Sequence, residues 1–121
     1  MSRDLSIAVI DDDESFRTAL VESLSSLGYG AHAFASGHEY LSGDGGLWDC
    51  VITDIHMPGI NGFELKRMLT ASGSSTPVIM ITAHAEPNLD VRAIACGAIC
   101  LLRKPFETDA LIDCLQRAVK H

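Results

Sequence analysis

The chain has 121 residues, 47% hydrophobic and 21% charged, an ordinary globular composition for which we expect a single domain over 1–121. A formal net charge of −7 works against nucleic acid or an anionic membrane as a direct partner of this domain. No apolar run approaches the ~20 residues of a bilayer span, and the N-terminus lacks a secretory apolar region, so the expected location is the cytoplasm and the expected cysteine state is reduced.

Leu5 to Ile10 is a short apolar run, broken only by Ser6, that ends in Asp11-Asp12-Asp13-Glu14. It reads as a central strand whose carboxyl end carries acids into a helix start. Phe16, Leu20, Leu24 and Leu27 then recur on one face of a helix, a core stripe stopped at Gly28. Ala31 to Ala35 is a weaker strand, expected at an edge with His32 outward. Ser36 is placed to cap a short helix with Tyr40 and Leu41, which breaks down in Ser42-Gly43-Asp44-Gly45-Gly46.

Cys50 to Ile52 is a buried strand that delivers Asp54 to its carboxyl end, and Pro58, Gly59 and Gly62 enforce a turn before the next helix. That helix carries Phe63, Leu65, Met68 and Leu69 and decays into Ala71-Ser72-Gly73-Ser74-Ser75. Pro77 to Ile81, the purest apolar run, ends in Thr82-Ala83-His84. A fourth helix is expected over Glu86 to Cys96, thinly anchored by Leu89, Val91 and Ile94. Ile99 to Leu102 is the last strand, closed by Arg103-Lys104-Pro105-Phe106. Thr108 can then cap a final helix with a core face of Leu111, Cys114, Leu115, Ala118 and Val119. Cys50, Cys96, Cys100 and Cys114 lack metal-ligand spacing and read as small buried hydrophobes without a disulfide.

Strand and helix thus alternate five times, and the strands are continuous apolar runs, as strands covered on both faces are. The expected fold is α/β, a flavodoxin-like doubly wound sheet of five parallel strands, order 2-1-3-4-5, with five helices. In such a sheet all strand carboxyl ends face one side, which would gather Asp11, Asp12, Asp54, Thr82 and Lys104. Three carboxylates in one crevice repel unless a hard divalent cation, Mg²⁺ or Mn²⁺, lies among them. A lysine and a threonine hydroxyl beside a metal suit an anion, and the set fits phosphoryl transfer with Asp54 as nucleophile.

Ile10-Asp11-Asp12-Asp13, Asp54-Ile55-His56-Met57-Pro58-Gly59-Ile60-Asn61-Gly62, Ile81-Thr82-Ala83 and Lys104-Pro105-Phe106, in that order and spacing, resemble the receiver domain of two-component response regulators over essentially the whole chain. The local texture is most similar to receivers fused to a DNA-binding helix-turn-helix. The resemblance implies that Asp54 accepts a phosphoryl group from a sensor histidine kinase. It implies that Asp11, Asp12, Asp54 and the backbone carbonyl of His56 hold Mg²⁺. Thr82 and Lys104 would engage the phosphoryl oxygens, with a cis bond before Pro105. Such a domain is not a conventional enzyme, although it catalyses its own aspartyl phosphorylation and dephosphorylation. Phosphorylation would shift the face of the fourth helix, last strand and last helix, which would control an output domain or build a homodimer. The family usually places an aromatic three residues before the lysine. Here that switch position is Leu101, which can change rotamer but has neither ring nor hydroxyl.

Each residue also has a plainer reading. Asp54 is a turn cap, the Asp11 run a helix-start acid cluster, Thr82 a β-branched strand residue, and Lys104-Pro105 a turn. His56 and His84 read as solvated or core groups, against a sharper reading in which they line the mouth of the site. His32, His38 and His121 carry no functional reading. An aspartate-nucleophile, metal-dependent phosphatase is the alternative function. It wants an acid two residues after the nucleophile, where this chain has His56. A flavin carrier would want a phosphate-cradling loop after the first strand, where this chain has four acids.

Overall fold

In a computed structural model, which describes residues 5–43 and 48–119, strands and helices alternate along the chain. The strands are β1 (Ser6–Ile10), β2 (Gly30–Phe34), β3 (Cys50–Asp54), β4 (Val78–Thr82) and β5 (Cys100–Arg103). The helices are α1 (Glu14–Ser26), α2 (Gly37–Leu41), α3 (Gly62–Ala71), α4 (Leu89–Ala95) and α5 (Thr108–Val119). All strand pairs are parallel and the order is β2-β1-β3-β4-β5, the expected doubly wound arrangement. Asp44, Gly45 and Gly46 of the expected loop, and His121, lie outside the described residues.

The central strands β1, β3 and β4 are buried on both faces because their side chains alternate between two cores, while β2 is a more exposed edge. Ile7, Val9, Ile52, Ile79 and Ile81 pack with Leu20 and Leu24 of α1 and Leu111 and Leu115 of α5. Ala8, Ile10, Val51 and Met80 pack with Phe63, Leu65 and Leu69 of α3 and Leu89 of α4. Local chemistry sets the helix ends. Asp13 caps α1 by accepting from the Phe16 amide, and Gly28 follows its C-cap at φ +96°. Ser36 caps α2. Asn61 and Glu64 form a reciprocal capping box on α3, so the turn after β3 hands directly into a helix.

Several expectations need correction. Leu27 and Val119, read as core, are exposed, Leu27 as the C-cap beyond the last turn of α1 and Val119 as the last residue of α5. Helix α4 is shorter than expected and begins at Leu89. Pro87 disfavours helical backbone at Glu86, and Asn88 adopts a left-handed φ of 69°, so 86–88 form a loop. Thr108 is the first helical residue of α5 rather than its cap. The expectation of unpaired thiols also fails at one pair: Cys100 of β5 and Cys114 of α5, Cα atoms 6.4 Å apart, form a disulfide. That expectation rested on redox compartment, which says nothing of proximity across a sheet–helix contact. Cys50 and Cys96 are free, and burial pushes the Cys50 thiol up to about 12, leaving it inert.

Candidate functional site

Parallel register brings the carboxyl ends of the strands into one row. Ile10 pairs with Thr53, Asp54 with Ile81, and Thr82 with Arg103. Asp11 follows β1, Asp54 ends β3, Thr82 ends β4 and Lys104 follows β5. All four lie around the switch point where the chain runs outward on both sides of β1 and β3. Asp11, Asp54 and Thr82 are buried polar residues, with Thr53 beside them, at the rim of an apolar core.

Lys104 joins the group across the width of the sheet. Its Nζ donates to Asp11 Oδ2 at 2.7 Å and to Asp54 Oδ2 at 2.9 Å. Its backbone amide donates to the Thr82 carbonyl at 2.7 Å, and the bond to Pro105 is cis. The ammonium also lies 4.0 Å from the centre of the Phe16 ring, a cation–π contact that helps aim the chain. The other oxygens of the acids are held by backbone: Asp11 Oδ1 accepts from the Asp13 amide and Asp54 Oδ1 from the His56 amide, both at 2.9 Å. Arg17 donates to the Asp11 carbonyl at 2.8 Å and fixes the loop from the other side.

Burial pushes the Asp54 carboxyl above its ordinary value, against the opposing pull of Lys104 and the His56 amide, while Asp11 pushes the same way as burial. Burial opposes the charge of Lys104, yet hydrogen bonds and attraction from Asp11 and Asp54 outweigh it and raise the ammonium above its ordinary value. One oxygen from each of Asp11, Asp12 and Asp54 falls within 4.8 Å of the others. Three carboxylates and the bridging ammonium leave a local charge of −3 + 1 = −2. The all-oxygen donor set and that charge match a hard divalent cation such as Mg²⁺ or Mn²⁺.

The structure thus brings together Asp11, Asp12, Asp54 and Lys104. Thr82 is at the same edge, but its hydroxyl is engaged sideways: Oγ1 accepts from the His84 amide at 3.0 Å and lies 3.3 Å from His56 Nδ1. Leu101 is half-buried, packed against the α3–α4 core. Phe16, Arg17 and Glu86 were missed by sequence reasoning. Phe16 and Arg17 sit in an ordinary amphipathic helix, with no local sign that they face the site. Glu86 carried one usable signal, the proline after it.

A tight fit is enforced behind Asp54. A β-carbon on Gly62 would lie 2.7 Å from the Asp54 carbonyl oxygen and 2.9 Å from Ile55 Cα. Only glycine lets α3 begin this close to the strand end.

Comparison with known proteins gives a consistent result. The family model for the response regulator receiver domain matches residues 7–116. The chain is 37% identical over 115 residues to the transcriptional regulatory protein FixJ of Bradyrhizobium diazoefficiens, covering 94% of this chain and 56% of FixJ. It is 37% identical over 119 residues to the C4-dicarboxylate transport transcriptional regulatory protein DctD of Rhizobium meliloti, covering 98% of this chain and 26% of DctD. The chain therefore spans about half, or less, of the curated relatives it matches. Among solved structures, FixJ-N superposes with a TM-score of 0.91 at 30% identity, covering 99% of this chain and 97% of that one. A response regulator receiver protein from Burkholderia phymatum superposes with a TM-score of 0.85 at 37% identity, covering 97% and 96%.

Proposed function

The chain belongs to the response regulator receiver family, and on that premise we propose that it is a phosphorylation-operated switch with Asp54 as phosphoacceptor. The observation that carries the reading is the Lys104 bridge to Asp11 and Asp54. It holds one carboxylate oxygen of Asp54 and leaves the residue alone on its strand end, facing the acids of the β1–α1 loop.

In this reading an Asp54 oxygen attacks the phosphorus of a histidine kinase's phosphohistidine. The P–N bond breaks, the imidazole departs with the electron pair, and an aspartyl phosphate forms. Asp11, Asp12, Asp54 and the His56 carbonyl would hold Mg²⁺, which when bound neutralises charge on the transferring oxygens. Lys104 then exchanges a carboxylate contact for a phosphoryl oxygen and keeps an anionic partner throughout. The Thr82 hydroxyl leaves His56 for another phosphoryl oxygen. Its departure, with a rotamer change at Leu101 in place of the family's aromatic, shifts α4, β5 and α5. That face would control a transcriptional output, as the names of FixJ and DctD indicate for those proteins, or pair two copies. A phosphatase reading gains no support, since His56 stands where a leaving-group acid is wanted and lies 3.3 Å from Thr82.

The test is incubation with a small acyl phosphate and Mg²⁺, read by intact mass. The native chain gains one phosphoryl group; Asp54→Asn and chelated samples gain none. Equal labelling of Asp54→Asn would overturn the assignment.

A further inference from the structure

The side chains of two histidines and a glutamate gather beside the crevice, and none of the three is a ligand or reactant in the reading above, where His56 offers Mg²⁺ only its backbone carbonyl. His56 follows β3, while His84 and Glu86 stand in the loop between β4 and α4. His56 Nε2 lies 2.9 Å from Glu86 Oε1, and His84 Nδ1 lies 3.8 Å from the same oxygen. The two imidazole centres are 3.9 Å apart. One potential ligand atom from each of the three residues falls within 4.8 Å of the other two. Tetrahedral zinc, with bonds of about 2.0–2.1 Å, spaces its ligand atoms about 3.4 Å apart, between the two separations measured here.

The loop is held in place by two hydrogen bonds. Arg103 of β5 donates to the His84 carbonyl at 3.1 Å, and the His84 amide is anchored on Thr82. All three side chains remain within reach of solvent, and an open cleft of about 520 Å³ is lined by His56 and Glu86. Two imidazoles and one carboxylate are a three-ligand set that leaves a position open. Imidazole nitrogen favours Zn²⁺, Cu²⁺ or Ni²⁺ over Mg²⁺, whereas the all-oxygen cluster of Asp11, Asp12 and Asp54 favours the reverse.

We infer that His56, His84 and Glu86 form a second metal site, selective for Zn²⁺-like ions, that restrains the switch. With the ion on Nε2, His56 keeps Nδ1 as the N–H donor to the Thr82 hydroxyl, the arrangement in which a ligand's far nitrogen is fixed by a neighbour. The ion, the ring and the Thr82 hydroxyl then form one chain, and Thr82 is held away from the position it takes with a phosphoryl group. The binding stands on the geometry alone; the restraint rests on the role proposed for Thr82.

The experiment titrates the native chain with Zn²⁺ in excess Mg²⁺, following heat and the histidine side-chain NMR signals. One Zn²⁺ should bind and shift the ring signals of both His56 and His84. His84→Ala and Glu86→Gln should each weaken binding tenfold or more, while Asp12→Ala leaves it unchanged. Phosphorylation by a small acyl phosphate should slow on adding Zn²⁺ in the native chain but not in His84→Ala. Zinc that fails to bind, or that is lost in Asp12→Ala and kept in His84→Ala, overturns the site. Zinc that binds as expected yet leaves the phosphorylation rate unchanged overturns the restraint. Absence of Mg²⁺-dependent labelling in zinc-free protein overturns instead the phosphoacceptor reading, and leaves the binding result standing.

Discussion

Asp54 is a charge kept where charge is costly. Its carboxyl is almost wholly buried, and burial outweighs Lys104 and the His56 amide in setting its proton affinity. The folded chain therefore holds this proton more tightly than the ordinary 3.8. By linkage, the group contributes stability below that ordinary value, and the contribution is lost as pH rises through the folded value. At neutral pH the ionised Asp54 costs stability, as expected of a functional residue if the proposed phosphoacceptor role holds for it. Asp54→Asn keeps an acceptor for Lys104 and removes the titration. We expect it to raise the melting temperature at pH 7 by a few degrees, on the order of 1 kcal/mol, with the gain fading as the native carboxyl protonates in acid. Calorimetry across pH checks this; a variant less stable than the native chain at pH 7 contradicts it. Lys104 carries the same sign in a different pH window. Its pKa is raised, so its contribution is complete below the ordinary 10.5 and is lost only as pH rises through the higher folded value.

Helix α4 is held more lightly by the core than α1, α3 or α5. Leu89 and Ala93 are its buried residues, whereas Val91 is 66% and Ile94 56% exposed. It starts at a left-handed Asn88 with no side-chain cap, while α1 and α3 are capped by Asp13 and Asn61. A helix with so little buried apolar surface opens locally at low cost. Native-state hydrogen exchange should therefore show faster opening of the amides from Arg92 to Cys96 than of those in the middle of α1 and α5. Leu89→Ala should cost about 2–4 kcal/mol by the usual penalty for a large-to-small change in a core. Its effect on exchange should concentrate in α4 and β5. Protection in α4 equal to that of α1 would refute the weak anchoring. The disulfide from Cys100 to Cys114 ties β5 to α5 on the face of the sheet opposite α4.

At the scale of the molecule, charge dominates. The net −7 includes a crevice whose own balance is −2 among Asp11, Asp12, Asp54 and Lys104. A divalent cation that binds there finds its ligands assembled only in the folded chain, so binding adds to stability by mass action. Mg²⁺ at about a hundred times its dissociation constant should add about 2.7 kcal/mol, seen as a rise in melting temperature. Asp12→Ala, which removes an exposed acid and disturbs no core packing, should lose most of that rise. Na⁺ at equal ionic strength should not reproduce it, which separates site binding from general screening of an acidic protein. Equal stabilisation of the native chain and Asp12→Ala would rule out this site.

The alternation of elements, the parallel sheet and the order of the motifs were all legible in the amino-acid sequence. Apolar periodicity, capping residues and turn-forming glycines act between neighbours a few positions apart. That Asp11, Asp54, Thr82 and Lys104 end up at one edge follows from parallel strands once each is known to close a strand. The tertiary structure alone decided the rest. It placed Phe16 under the Lys104 ammonium, turned Glu86 to His56, held the Thr82 hydroxyl beside an imidazole, and joined Cys100 to Cys114. It also left Leu27 and Val119 in solvent. These are contacts between side chains on different elements, set by how strands register, how loops run and which way each helix is rotated, and none of those is a property of any short stretch of chain.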